Sequence, residues 1–182
     1  MPNANVEAAI QEVLACRCPR YDQLPDLTLY SDQVVDALNG YLAPLWPDSE
    51  QKVTAAMINN YVKQKVIAPP VKKRYDREQL ARLYCICLLK QVFSISEIRG
   101  FMAIQTVSYP FPKAYDYFCT ELENALQAVF SGRDFSPSSA SRVTVESDLV
   151  RKVAISFALK LFAAKFLQYY DPSGAKALQQ NP

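Results

Sequence analysis

A chain of 182 residues, half of them hydrophobic and 21% charged, is long enough for a substantial core and too apolar for disorder. With no histidine and a net charge of +2, it excludes Ser-His and Cys-His nucleophile pairs, the HExxH zinc helix and histidine acid-base schemes. Its four glycines, at 40, 100, 132 and 174, are too scattered for a phosphate-binding loop or a GxGxxG turn, so an enzyme has no residues to rest on.

Val6, Ala9, Ile10, Val13 and Leu14 recur at helical spacing and predict a first short helix that ends before Pro19. After the proline-punctuated "PRYDQLPDLTLY", Ser31 or Asp32 can cap a second helix whose Val34, Val35, Leu38, Tyr41 and Leu42 face inward. "APLWPDSEQKV" reads as a loop, and Thr54 starts a third helix over about 54–65. That helix must stop before "APP", because the residue preceding a proline is pushed out of the α region. A fourth helix spans about 76–92, with Asp76 at its N-terminus and a broad buried face from Leu80 to Leu88. Ser94 and Glu97, three apart, form a capping box that begins a fifth.

Beyond residue 105, Pro110 and Pro112 stand among aromatics, and Phe118, Leu122, Ala125, Leu126, Val129 and Phe130 give an amphipathic helix. The linker "SGRDFSPSSAS" leads to a long helix over about 145–170, apolar except for a narrow stripe of Lys152, Ser156, Lys160 and Lys165. Such a helix either belongs to the core of its own chain or pairs with a partner across a two-fold axis. The tail "DPSGAKALQQNP" reads as frayed. No repeat is visible and alternating strand patterns are nearly absent, so the expected fold is mainly α.

Five cysteines stand at 16, 18, 85, 87 and 119, and neither close pair is spaced CxxC, so no metal site or other cofactor is expected. Cys85 and Cys87 read as small buried hydrophobes, Cys16 and Cys18 as a pair near the surface, all of them reduced. No apolar run reaches the roughly 18 residues of a membrane span, since Lys160 and Lys165 interrupt 153–167. The N-terminus has acids where a signal peptide needs cations. A cytoplasmic protein without membrane contact is the expectation.

Charge is unevenly placed. Residues 54–90 hold eight cations and two acids, whereas the rest of the chain holds twelve cations and sixteen acids. One basic face on an acidic body suits a polyanion binder, because each neutralised phosphate releases counterions. On the third helix, Met57, Ile58, Tyr61 and Val62 share one side, and Ala56, Asn59, Asn60, Lys63 and Gln64 the other. Asparagine and glutamine can bond adenine bidentately in the major groove, and lysine reaches guanine or phosphate. A solvated face would also be polar but is more typically filled with glutamate and lysine, and asparagine is a poor helix former, so two together in mid-helix ask for a reason.

The stretch "VTAAMINNYVKQKVIAPPVKKRYDREQLARLYCICLLKQVFSISEIRGFM" resembles the winged helix-turn-helix of MerR-type regulators. The resemblance rests on Tyr61, Val66-Ile67, Pro69-Pro70, Lys73-Arg74-Tyr75, Glu78-Gln79-Leu80 and the run from Phe93 to Ile98. With "LPDLTLYSDQVVDALNGYL" upstream, residues about 24–102 resemble more closely a bacterial domain family of unknown function with a MerR-like winged helix-turn-helix. The resemblance implies a phosphate contact from Tyr61 and a wing cation at Lys73. MerR proteins carry arginine at Asn59 and glycine at Lys65, so the third helix is expected to end differently here, and the wing is shorter.

The sequence thus predicts a helix-turn-helix DNA-binding domain with an N-terminal helix over 1–104 and a C-terminal helical region over 105–182 for dimerisation or ligand sensing. The expected function is sequence-specific transcriptional regulation on double-stranded DNA, as a homodimer, because one helix reads too few bases. Asn59, Asn60, Lys63 and Gln64 would face bases, and Tyr61, Lys72, Lys73, Arg74 and Arg77 would hold phosphates. The alternative is a protein-interaction or ligand-sensing module that keeps the shape without reading DNA, with Trp46, Tyr109, Phe111, Tyr115, Tyr117 and Phe118 lining a pocket or packing a core. The sequence names no operator and no effector.

Overall fold

The computed structural model describes residues 4–47 and 52–170; the tail from 171 lies outside them. The first helix, α1 (Ala4–Ala15), buries Val6, Ala9 and Val13 and stops short of Pro19. A two-residue strand, β1 (Leu29–Tyr30), leads directly into α2 (Ser31–Leu42), which buries Val34, Leu38 and Leu42. Neither Ser31 nor Asp32 caps α2, contrary to expectation. The strand holds Tyr30 extended as the cap residue, and its N–H donates to Gln33 Oε1 at 2.9 Å.

The connection from α2 contains a 3₁₀ turn, Ala43–Leu45, that turns Leu45 and Trp46 into the core. Asn39 pins its far end, accepting the Val53 N–H at 2.7 Å and donating to the Val53 carbonyl at 3.1 Å. Next come α3 (Ala55–Lys63), β2 (Arg74–Tyr75) and α4 (Arg77–Leu89). β2 pairs antiparallel with β1, Leu29 opposite Tyr75 and Tyr30 opposite Arg74. The capping box at Ser94 forms as expected: Ser94 N–H donates to Glu97 Oε2 at 2.7 Å, and α5 (Ile95–Ser108) follows.

Pro110 stands at the cap and Pro112 in the first turn of α6 (Phe111–Ser131), where a missing N–H leaves no bond unmade. From α6 the chain returns as an extended linker before α7 (Val145–Tyr169). The two helices run parallel: Tyr117 reaches the Ser147 carbonyl at 3.1 Å, Glu121 faces Arg151 at 3.7 Å, and Phe130 meets Phe162 with centroids 5.3 Å apart. A parallel pair requires a long return, about 30 Å for a helix of this length at about 1.5 Å per residue. The linker runs back beside α6, and the buried carboxylate of Glu121 holds it there, accepting the Ser139 N–H at 2.7 Å and hydroxyl at 2.5 Å.

One continuous core extends from Val13 to Leu161, and α1 packs on α6 and α7. Two expectations change here. Cys16 and Cys18 are buried, as are the other three free cysteines, because "CRCPR" is drawn onto α6: Cys18 N–H donates to Glu123 at 2.7 Å, Arg20 pairs with the same carboxylate at 2.7 Å, and Tyr115 donates to the Pro19 carbonyl at 2.9 Å. Lys165 is not part of an exposed stripe. It is 5% exposed against α1, with Glu12 at 3.8 Å, whereas Lys152 and Lys160 are exposed. No helix among the described residues is long and apolar enough to cross a membrane.

Candidate nucleic-acid interface

Thr54 caps α3, its Oγ1 accepting the Met57 N–H at 3.3 Å, and Ile58 and Tyr61 anchor the helix in the core. Anchoring that side turns the opposite one outward. Asn59, Asn60, Lys63 and Gln64 are all exposed on it, on the side the helical spacing gives them. Tyr61 is 4% exposed, and burial pushes its phenol up to about 12.

The end of α3 is a Schellman turn: Lys65 N–H donates to Val62 O and Val66 N–H to Tyr61 O, both at 3.0 Å. Lys65 occupies the left-handed region, with φ of 56°. A different helix end was expected because glycine is absent. The helix instead ends as it would with glycine, and lysine carries the strain. Arg99 on α5 donates to the Gln64 carbonyl at 2.6 Å, fixing the same end from outside.

Past Ile67, which is buried, Gln79 fastens the proline segment. Its Nε2 donates to the Ala68 and Pro69 carbonyls at 3.0 and 3.2 Å, while its Oε1 accepts the Asp76 N–H at 3.0 Å. The chain then makes a two-residue hairpin, with Val71 and Arg74 exchanging both backbone bonds at 3.0 and 2.9 Å. At its tip Lys72 and Lys73 have φ of 49° and 64°, the geometry of a turn that ordinarily takes Asn-Gly. The β1–β2 pairing holds the hairpin's base, so both lysines project from a fixed mount.

The remaining cations differ in freedom. Arg74 is exposed, with its guanidinium 4.6 Å over the Tyr30 ring and 2.9 Å from the Tyr30 hydroxyl. Arg77 is half-buried, paired with Asp26 at 2.9 Å and donating to the Pro25 carbonyl at 3.4 Å, so it secures the chain before β1. Arg82 pairs with Glu78 and lies 4.1 Å over Phe111. Lys63, Lys65, Lys72 and Lys73 take part in none of the ion pairs among the described residues. α3 and the hairpin therefore carry four lysines outside these ion pairs beside two asparagines and a glutamine, and Lys90 at the end of α4 is a fifth.

Arg99 was not singled out by sequence reasoning, and Gln79 only as part of the Glu78-Gln79-Leu80 motif. The spacing Asp76-x-x-Gln79 is a capping-box signal that marks Gln79 as a helix-start residue. Arg99 has no local signal, since its partner lies 35 residues away. Among the described residues no cluster of cysteine and carboxylate groups could hold a metal ion.

Neither a curated protein nor a solved structure matches the chain. A family described as a domain of unknown function, DUF1836, matches residues 19–118, from the segment after α1 through α2, α3, the hairpin, α4 and α5 into α6. With more than half its length in that match, the chain belongs to the DUF1836 family.

Proposed function

We propose that the chain is a sequence-specific DNA-binding transcriptional regulator, in which α2 and α3 form a MerR-like helix-turn-helix and the Val71–Arg74 hairpin is a short wing. The observation that carries this reading is the shared exposure of Asn59, Asn60, Lys63 and Gln64 on one side of a helix whose other side is anchored in the core. α3 enters the major groove, where the amides read base edges. Lys72, Lys73 and Arg74 then hold phosphates, and Arg77 acts chiefly by keeping the loop before β1 in place. On this reading the protein binds and does no chemistry. It works as a homodimer in the cytoplasm, the second copy supplying the second half-site.

Selection of bound genomic fragments, followed by titration at several salt concentrations, tests the proposal. A steep fall of log affinity with log salt is expected, since each phosphate contact adds about 0.9 to the slope. Replacing Asn59 and Asn60 with alanine should remove preference for the selected site and keep non-specific affinity. Lys73→Ala should weaken all sequences alike and lower the slope by about one. Absence of retardation of mixed fragments at low salt would sink the idea.

A further inference from the structure

Four helices line a half-open apolar cleft with an inner space of about 60 Å³, its walls including Phe101 and Met102 from α5, Tyr115 and Phe118 from α6, and Val150 and Val153 from α7. A single water needs only about 10–15 Å³ by that measure, so the space is real, yet its walls offer water almost no partner. The Tyr115 hydroxyl is already given to the Pro19 carbonyl. At the rim, Thr106 bonds back to the Met102 and Ala103 carbonyls at 3.1 Å, and Gln105 Nε2 donates to the Glu146 carbonyl at 3.0 Å. What is left at the rim is acceptors alone, Gln105 Oε1 and the lone pairs of the Thr106 hydroxyl. No charged side chain lines the cavity.

We propose that this cleft between α4, α5, α6 and α7 is a binding site for a small uncharged hydrophobic molecule carrying at most one or two hydrogen-bond donors at its rim end. Charge is excluded because nothing in the walls would compensate its desolvation. An apolar occupant gains the dispersion contacts that the empty walls lack. A protein segment is too large for the space. Accommodating an aromatic ring, which fits a cavity of about 150 Å³, requires one wall to yield.

That wall is α5. Among its described residues only Ile98 is fully buried, while Ile104 and Val107 are 41% and 86% exposed. Beside it a more polar hollow shares Gln105 and Ala114 with the cavity and opens to Tyr109 and Lys113, which provides a way in. α5 also carries Arg99, bonded to the last turn of α3. Occupancy therefore displaces the helix that fixes the end of α3. This last consequence rests on the DNA-binding reading, whereas the site itself does not.

Toluene titrated into the full chain, followed by methyl and amide NMR shifts, tests the site without DNA. Saturable shifts at Met102, Val150 and Val153 are expected, with benzoate binding at least tenfold more weakly. Ala114→Leu should fill the cavity and weaken toluene at least tenfold; Leu149→Phe fills it from α7 should the first variant fail to fold. Shifts that stay linear to the highest concentration, persist in the filled variant, or are matched by benzoate would overturn the proposal. With DNA present, saturating toluene should change affinity threefold or more in the wild type, and Arg99→Ala should remove that change while still binding toluene. Saturable toluene binding without DNA binding would leave the site standing and overturn the regulator reading. DNA binding without saturable toluene shifts would do the reverse.

Discussion

Lys65 and Gly132 solve the same problem at the ends of two helices. Each follows its helix in the left-handed conformation, with φ of 56° and 68°, but only glycine adopts it without a Cβ clash. The α6–α7 pair thus uses the residue its backbone calls for. The edge formed by α3 and the hairpin does not: all three non-glycine residues with positive φ among the described residues are lysines, at 65, 72 and 73. Left-handed backbone costs about 1–2 kcal/mol for an ordinary residue, so this edge retains cations against its own local stability. Strain of that kind concentrates where a surface is needed for something other than packing.

The sharpest way to test the contrast is to remove mass from each region. Phe157 on α7 is 1% exposed in the core, so Phe157→Ala should cost about 3–5 kcal/mol in urea unfolding. Asn59→Ala, on an exposed position, should stay within about 0.5 kcal/mol. A loss below about 1 kcal/mol for Phe157→Ala would mean that α7 is not part of the chain's own core, and the division between the regions would break.

Much of this was legible in the sequence, for local reasons. Helix boundaries followed from Pro19, from the Ser94–Glu97 box and from the spacing of Ile58 and Tyr61, each acting over a few residues, whereas α6 begins at Phe111, ahead of the Phe118 from which its apolar pattern was read. The exposure of Asn59, Asn60, Lys63 and Gln64 follows from the same periodicity. What escaped depends on distant partners. The "CRC" segment is buried because Glu123 and Tyr115 draw it in from about a hundred residues away, and its polarity gives no hint of that. Tyr30 replaces Ser31 as a cap because a strand partner 44 residues away holds it extended. Likewise, the parallel course of α6 and α7 is set by contacts between helices. The linker's length permits it, and its composition only marks a loop.

Lys165 offers a smaller effect on the well-packed side. Burial lowers its pKa, and Glu12, half-exposed at 3.8 Å, only partly opposes this. Between the lowered folded value and the ordinary lysine value near about 10.4, the unfolded chain binds more protons than the native one. Stability from this group therefore rises as pH increases through that window, and is flat below it. Lys165→Met should stabilise the protein at neutral pH by about 1 kcal/mol, because it removes a buried ammonium while Glu12, half-exposed, keeps its hydration and is not left as a buried unpaired charge. The alkaline rise attributable to Lys165 should be absent from the variant, so the variant's advantage over wild type should shrink as pH rises through that window. A lower melting temperature for Lys165→Met would show that the Glu12 pair outweighs the burial of the ammonium.

The smallest effect lies at the other end of the contrast. Lys65→Gly relieves a left-handed lysine, worth about 1–2 kcal/mol, but glycine also frees the unfolded chain by about 0.5–1 kcal/mol. The two terms leave a net gain of a few tenths to about 1 kcal/mol, readable as a rise in urea midpoint with an unchanged slope. The same variant removes one unpaired cation beside Lys63 and Gln64. If Lys65 touches phosphate, the salt dependence of DNA binding should fall by about one along with the gain in stability. A gain in stability with an unchanged salt slope would assign Lys65 to ending the helix, and would leave Lys72 and Lys73 as the strained lysines proposed to hold phosphates.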